Sequence, residues 1–270
     1  KRQGCGYGLD TPNELKMLNV IRRLAADTPL TIVPTFLGAH TVPPEFKGRG
    51  DDYVQVVVQE MLPEVARQGL ANAVDVFCEN IGFNLPQTER IFEAARVHGL
   101  PVKLHAEQLS DMQGAVLAAR YKALSVDHLE YLAIRDIPAL VAGRCVAVLL
   151  PGAFYFLRET RKPPVQALRE AGVPMAVSTD ANPGTSPVLS IRSMMNMACV
   201  LFQLTPAEAL AGVTANAARA LGLQDEIGTL ENGKAADFAV WHIDAPADLA
   251  YQLGGGLLHH VVKNGRKVTL

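Results

Sequence analysis

"PVKLHAEQLS" (101–110) holds the pattern on which the fold turns. A short β-rich run ends in a histidine, His105, and a polar stretch then leads into "DMQGAVLAARYK" (111–122), whose apolar residues fall at helical spacing. The same order recurs on both sides. Further β-like runs are "TIVPTFLGA" (31–39), "AVDVFCE" (73–79), "ALSVDH" (123–128), "VAVLLP" (146–151) and "VPMAVSTD" (173–180). Between them lie helical patterns at 51–69, 85–99, 133–144 and 163–172, several closing on Gly. Strand–helix–strand units with buried strands imply an α/β fold, a parallel sheet covered by helices.

Six such strands are countable before Asp180, whereas a closed (β/α)8 barrel needs eight. Three helical stretches follow, at 187–202, 205–211 and 214–222, and then "GTLENGKAADFAVWHID" (228–244) and "HHVVKNGRKVTL" (259–270) read as short strands with Asn-Gly turns. The expected division is a (β/α) catalytic domain over 1–226 and a small β segment over 227–270.

Composition narrows the class. Of 270 residues, 49% are hydrophobic and 19% charged, which suits a soluble protein with a large core. A net charge of −2 and the lack of a basic stripe argue against nucleic acid, and no apolar run reaches membrane-spanning length. Cys5, Cys78, Cys145 and Cys199 form no C-x-x-C pair and read as reduced thiols of a cytoplasmic protein.

The polar residues fall where chemistry is expected. His40, Glu79, His105, His128 and Asp180 each end a different β-like run, and parallel α/β folds build their sites at the carboxyl ends of strands. Imidazole and carboxylate together suit zinc or iron better than calcium or magnesium. A metal acidifies water, and Asp180 can serve both as ligand and as general base. His98 reads as a helix-end residue, while His242, His259 and His260 belong to the β segment, where adjacent residues point to opposite faces. In "STDANPGTSP" (178–187), Asn-Pro-Gly bends the chain, Thr185 or Ser186 caps a helix, and Pro187 opens it. That helix start can attract an anion such as a substrate carboxylate.

"GYGLD" (6–10), "TFLGAH" (35–40), "KLHAEQLS" (103–110), "DHLEYL" (127–132) and "STDANPGTSP" (178–187), in this order and spacing, resemble the imidazolonepropionase family of the amidohydrolase superfamily. The resemblance implies a metal-dependent (β/α)8 TIM barrel with a small β-sandwich segment, usually homodimeric, carrying one zinc or iron ion per subunit. It implies hydrolysis of the ring C–N bond of 4-imidazolone-5-propanoate to N-formimidoyl-L-glutamate in histidine degradation. His105 and Asp180 are then metal ligands, and Asp180, His128 and Gln108 the catalytic residues. His128 polarises the ring carbonyl or shuttles a proton, while Gln108 orients substrate or water. Tyr7, His40, Gln108, Asn182, Gly184 and Thr185 contact the substrate. Glu79 takes no role from the resemblance and reads as a buried carboxylate paired with a Lys or His.

The superfamily's H-x-H motif is absent, and "KRQGC" (1–5) is a poor match to a buried strand. The expectation is therefore a barrel that is N-terminally incomplete. Two alternatives stay open: another amidohydrolase, such as a nucleobase deaminase or a dipeptidase, or an inactive, metal-free remnant.

Overall fold

The structure is a computed structural model that describes residues 2–4 and 7–268; Cys5 and Gly6 lie outside the described residues. The chain forms two compact units, one made of Lys1–Val126 and Tyr131–Cys145, the other of Asp127–Glu130 and Val146–Leu270.

In the first unit β1 (Arg2–Gly4), β2 (Val33–Ala39), β3 (Ala73–Cys78) and β4 (Val102–Ala106) lie side by side in that order, all parallel. The pairing of β1 corrects an expectation. Arg2 to Gly4 register against Val33 to Thr35, because ladder hydrogen bonds use the backbone and tolerate a polar, Gly-containing run.

Register decides what each face carries. Val74 pairs with Val102 and Val76 with Leu104, while Asp75 pairs with Lys103 and Phe77 with His105. Alternation puts the aliphatic set on one face and Asp75, Phe77, Lys103 and His105 on the other. The aliphatic face meets helix Gly114–Arg120, where a Cβ on Gly114 would sit 3.0 to 3.3 Å from Ala106, Leu104 and Cys78. Helix Ile137–Gly143 packs as tightly on Ala119, through Gly143.

Helix Gly50–Val56 runs through a π-turn, Val57–Met61, into Leu62–Arg67. Pro63 lacks an N–H and its ring crowds the preceding turn, so a wider turn relieves the conflict. Helix Leu85–Val97 starts at a capping box made by Asn84 and Gln87, and His98 closes it as the helix-end reading predicts. Helix Thr11–Asp27 escaped the strand–helix pattern although its signals are present. Asp10 caps Asn13 N–H, Pro12 lies in the first turn, and Glu14, Leu18 and Ile21 are buried.

The chain passes into the second unit within β5 (Ser125–His128). There β6 (Val146–Leu149) and β7 (Met175–Val177) pair in parallel, and Val146, Val148, Leu150, Ala153, Ala176 and Ala220 pack into one core. All six strands expected before Asp180 are present. Helices Ile191–Phe202, Pro206–Val213 and Ala215–Ala220 follow. The first begins later than expected. Its cap is Ser190, which accepts from Ser193 N–H, so neither Thr185 nor Ser186 is the cap and Pro187 is not its first residue. Asn182 and Ser186 close the 182–186 turn on themselves instead, and the chain leaves it non-helical.

The C-terminal residues form an antiparallel sheet of β8 (Phe238–Trp241), β9 (Leu258–Lys263) and β10 (Arg266–Val268), in the order β10-β9-β8. The expected Asn-Gly turn joins β9 to β10, with Asn264 and Gly265 both at positive φ. His259 and His260 do not point apart. The register against β8 slips there, and the two rings lie with Nδ1 atoms 2.5 Å apart.

Candidate active site

The first unit gathers three potential metal-binding side chains. His40 follows β2, Asp75 lies on β3 and His105 on β4, and one ligand atom from each falls within 4.8 Å of the others. His105 Nδ1 lies 3.0 Å from Asp75 Oδ1. An ionised carboxylate only accepts, so the imidazole donates from Nδ1 and presents Nε2 as its lone pair. The His40 ring meets His105 edge-on at 4.9 Å and stacks on Phe77 at 6.3 Å. Two imidazoles and a carboxylate form a donor set that fits zinc or iron. Asp75 was missed from sequence, although a charge inside "AVDVFC", buried in an apolar strand, requires a partner.

Buried carboxylates shape the loops around this cluster. Among the described residues Glu79 pairs with neither Lys nor His, which corrects the expected pairing. It accepts the N–H groups of Gln108 (2.7 Å) and Leu109 (3.0 Å) and the hydroxyl of Ser110 (2.5 Å). Glu107, at φ +53, accepts from Gly114 and Ala115 N–H. Burial pushes its carboxyl up to about 8, against the pull of those two donors. Glu14 holds Gly8 and Leu9 N–H at 2.9 and 3.1 Å, and so fixes the loop that carries Tyr7. Tyr7 itself is 74% exposed at φ +67, whereas Gln108 is buried.

The second unit holds the remaining expected residues. His128 ends β5 at φ +82, buried, with Nδ1 3.9 Å from Glu130 Oε2. Asp180 follows β7 at φ +46. Asn182 organises the next turn: its Oδ1 accepts from Gly184 N–H (2.9 Å) and Thr185 N–H (2.7 Å), and its amide donates to Asp180 O and Thr185 Oγ1. Ser186 Oγ donates to Thr179 O and ties the turn back to the strand end. Gly184 and Thr185 therefore already spend their N–H groups inside the turn.

Residues 2–268 match the amidohydrolase family. The chain is 60% identical over 263 residues to imidazolonepropionase of Pseudomonas paraeruginosa, and 58% identical over 264 residues to that of Pseudomonas putida. These alignments take in 97% and 98% of this chain but 65% and 66% of the relatives, so the chain spans about two thirds of their length. Among solved structures it resembles a zinc-bound adenosine deaminase from Xanthomonas campestris, with TM-score 0.72, 21% identity, 93% of this chain and 63% of the other. It also resembles atrazine chlorohydrolase from Arthrobacter aurescens complexed with zinc, with TM-score 0.76, 17% identity, 98% of this chain and 67% of the other. At those identities the likeness bears on fold, and it supports the amidohydrolase barrel class. With a family match running through both units and nearly the whole length, the chain belongs to the amidohydrolase family.

Proposed function

We propose that this chain carries the catalytic core of an imidazolonepropionase, which hydrolyses 4-imidazolone-5-propanoate to N-formimidoyl-L-glutamate. The observation that carries the reading is identity of 58–60% across 97–98% of the chain to relatives of that name. The His40, Asp75 and His105 cluster supports it by bringing together groups that suit zinc or iron chemistry, of which His105 would ligate, Asp75 would orient it and His40 would face the substrate.

His105, through Nε2, and Asp180 would hold the ion, with Asp75 fixing the His105 tautomer through Nδ1. Once bound, the ion acidifies water and polarises a carbonyl. The residues of the chain supply the rest. Asp180 takes a proton from the attacking water, whose oxygen bonds to the ring carbonyl carbon. The C–N bond then breaks and the ring nitrogen receives a proton, so one water is consumed in all. His128 steadies the carbonyl or passes that proton, and Gln108 orients water or substrate. Tyr7, His40, Asn182, Gly184 and Thr185 contact the substrate, while the Gly184 and Thr185 N–H groups stay on Asn182 Oδ1. One ion per subunit, a homodimer and a cytoplasmic location complete the proposal. Among the described residues, no helix is long and apolar enough to cross a membrane.

The test is turnover by the purified chain loaded with zinc or with iron, with cytosine and guanine as controls. Formation of N-formimidoyl-L-glutamate with neither base deaminated supports the reading. Deamination in place of ring opening, or no turnover at full metal loading, overturns it.

A further inference from the structure

Glu79 has no part in the proposed chemistry, yet its carboxylate is almost fully buried and, among the described residues, its hydrogen bonds go to one short stretch of loop. Oε1 receives two successive N–H groups, from Gln108 and Leu109, and Oε2 receives the Ser110 hydroxyl. Glu107, directly before these donors, has a left-handed backbone. Three bonds to three consecutive residues leave the segment little freedom to shift or rotate. Its far end is held separately, where the Glu107 carboxylate accepts from Gly114 and Ala115. The Gln108 backbone is thus anchored to the end of the neighbouring strand, three residues beyond His105. A loop carrying a group that must meet substrate within a fraction of an ångström needs such an anchor.

We propose that Glu79 is a positioning residue: it clamps residues 108–110 and so sets the aim of the Gln108 side chain. The proposal rests on the reading that Gln108 orients substrate or water. The experiment compares the full chain with Glu79→Ala, Glu79→Gln and Ser110→Ala by amide hydrogen exchange and by steady-state turnover of 4-imidazolone-5-propanoate. Glu79→Ala is expected to raise exchange at Gln108 and Leu109 about tenfold while amides of β3 and β4 keep their protection. Its kcat is expected to fall about tenfold with KM moving less than about threefold. Glu79→Gln restores most of both, because the amide oxygen still accepts the two N–H groups and its NH2 donates to Ser110 Oγ.

Unchanged exchange at Gln108 and Leu109 in Glu79→Ala overturns the clamp. Exchange rising equally through β3 and β4 also overturns it, since Glu79 then acts only as a staple of the fold. An opened loop with undiminished kcat overturns the link to Gln108. Where Glu79→Ala does not fold, Ser110→Ala must raise exchange in the loop about threefold, and no change there sinks the proposal. If the wild-type chain turns nothing over, the functional reading fails by itself and the exchange pattern still decides the clamp.

Discussion

The contact between His105 and Asp75 joins an imidazole near one strand end to a carboxylate buried inside the neighbouring strand. Asp75→Asn puts an amide where the carboxylate anchors Nδ1, and the imidazole loses both its fixed tautomer and part of its basicity. Zinc affinity, read by competition with a chromophoric chelator, is expected to drop about 10–100-fold. A second residue reports on charge alone. The Arg169 guanidinium bonded to Glu208 holds that carboxyl at about 2, below its ordinary 4.5. A depressed carboxyl contributes stability that is complete above the unfolded value and is lost as pH falls toward the folded one. Glu208→Gln keeps a side-chain acceptor at N3 of the capping box with Thr205. Its Tm deficit relative to wild type is therefore expected to be full near neutrality and to shrink between pH 4.5 and about 2; a deficit independent of pH would exclude the ion pair as its source. His40 and His105 were legible in the sequence because they end β-rich runs. Asp75 was not, since its partner lies thirty residues away and only strand register brings the two together.

Strands read more clearly than helix starts. The β-like runs gave β2 to β7, because buried parallel strands are short, apolar and bounded by turn residues. The helix expected at 187 begins at Ile191, because Asn182 offers the backbone of its own turn a better set of hydrogen bonds than a helix start does. Tight contacts between elements give sharp predictions. A Cβ on Gly143 would lie 2.7 to 2.9 Å from the backbone and Cβ of Ala119, so Gly143→Ala must separate helix Gly114–Arg120 from helix Ile137–Gly143. Urea denaturation is expected to show a loss of about 1–3 kcal/mol, the usual cost of overpacking. Asn84→Ala removes the cap of helix Leu85–Val97 and is expected to cost about 1 kcal/mol in the same assay.

For the molecule as a whole, the alternation of strands and helices identified the fold class, and the ordered motifs identified the family. The closing of the site's loops by Glu14, Glu79 and Glu107 was hidden, because each carboxylate bonds to backbone N–H groups that no residue type announces. Thiol reactivity tests the packing globally. Burial pushes Cys78 up to about 12 and Cys145 to about 11, while Cys199 is only half-buried. Of these three, Cys199 is expected to label first with iodoacetamide, and Cys78 and Cys145 only at the rate of unfolding; early labelling of either would contradict the packed core. The division of the chain bears on how the protein is born. Residues 127–130 belong to the second unit, and the chain then returns to the first for 131–145. A nascent chain emerging from the ribosome cannot finish its first unit when β4 has appeared. It must wait for helix Ile137–Gly143, so a stretch destined for the second unit is exposed before the first has closed.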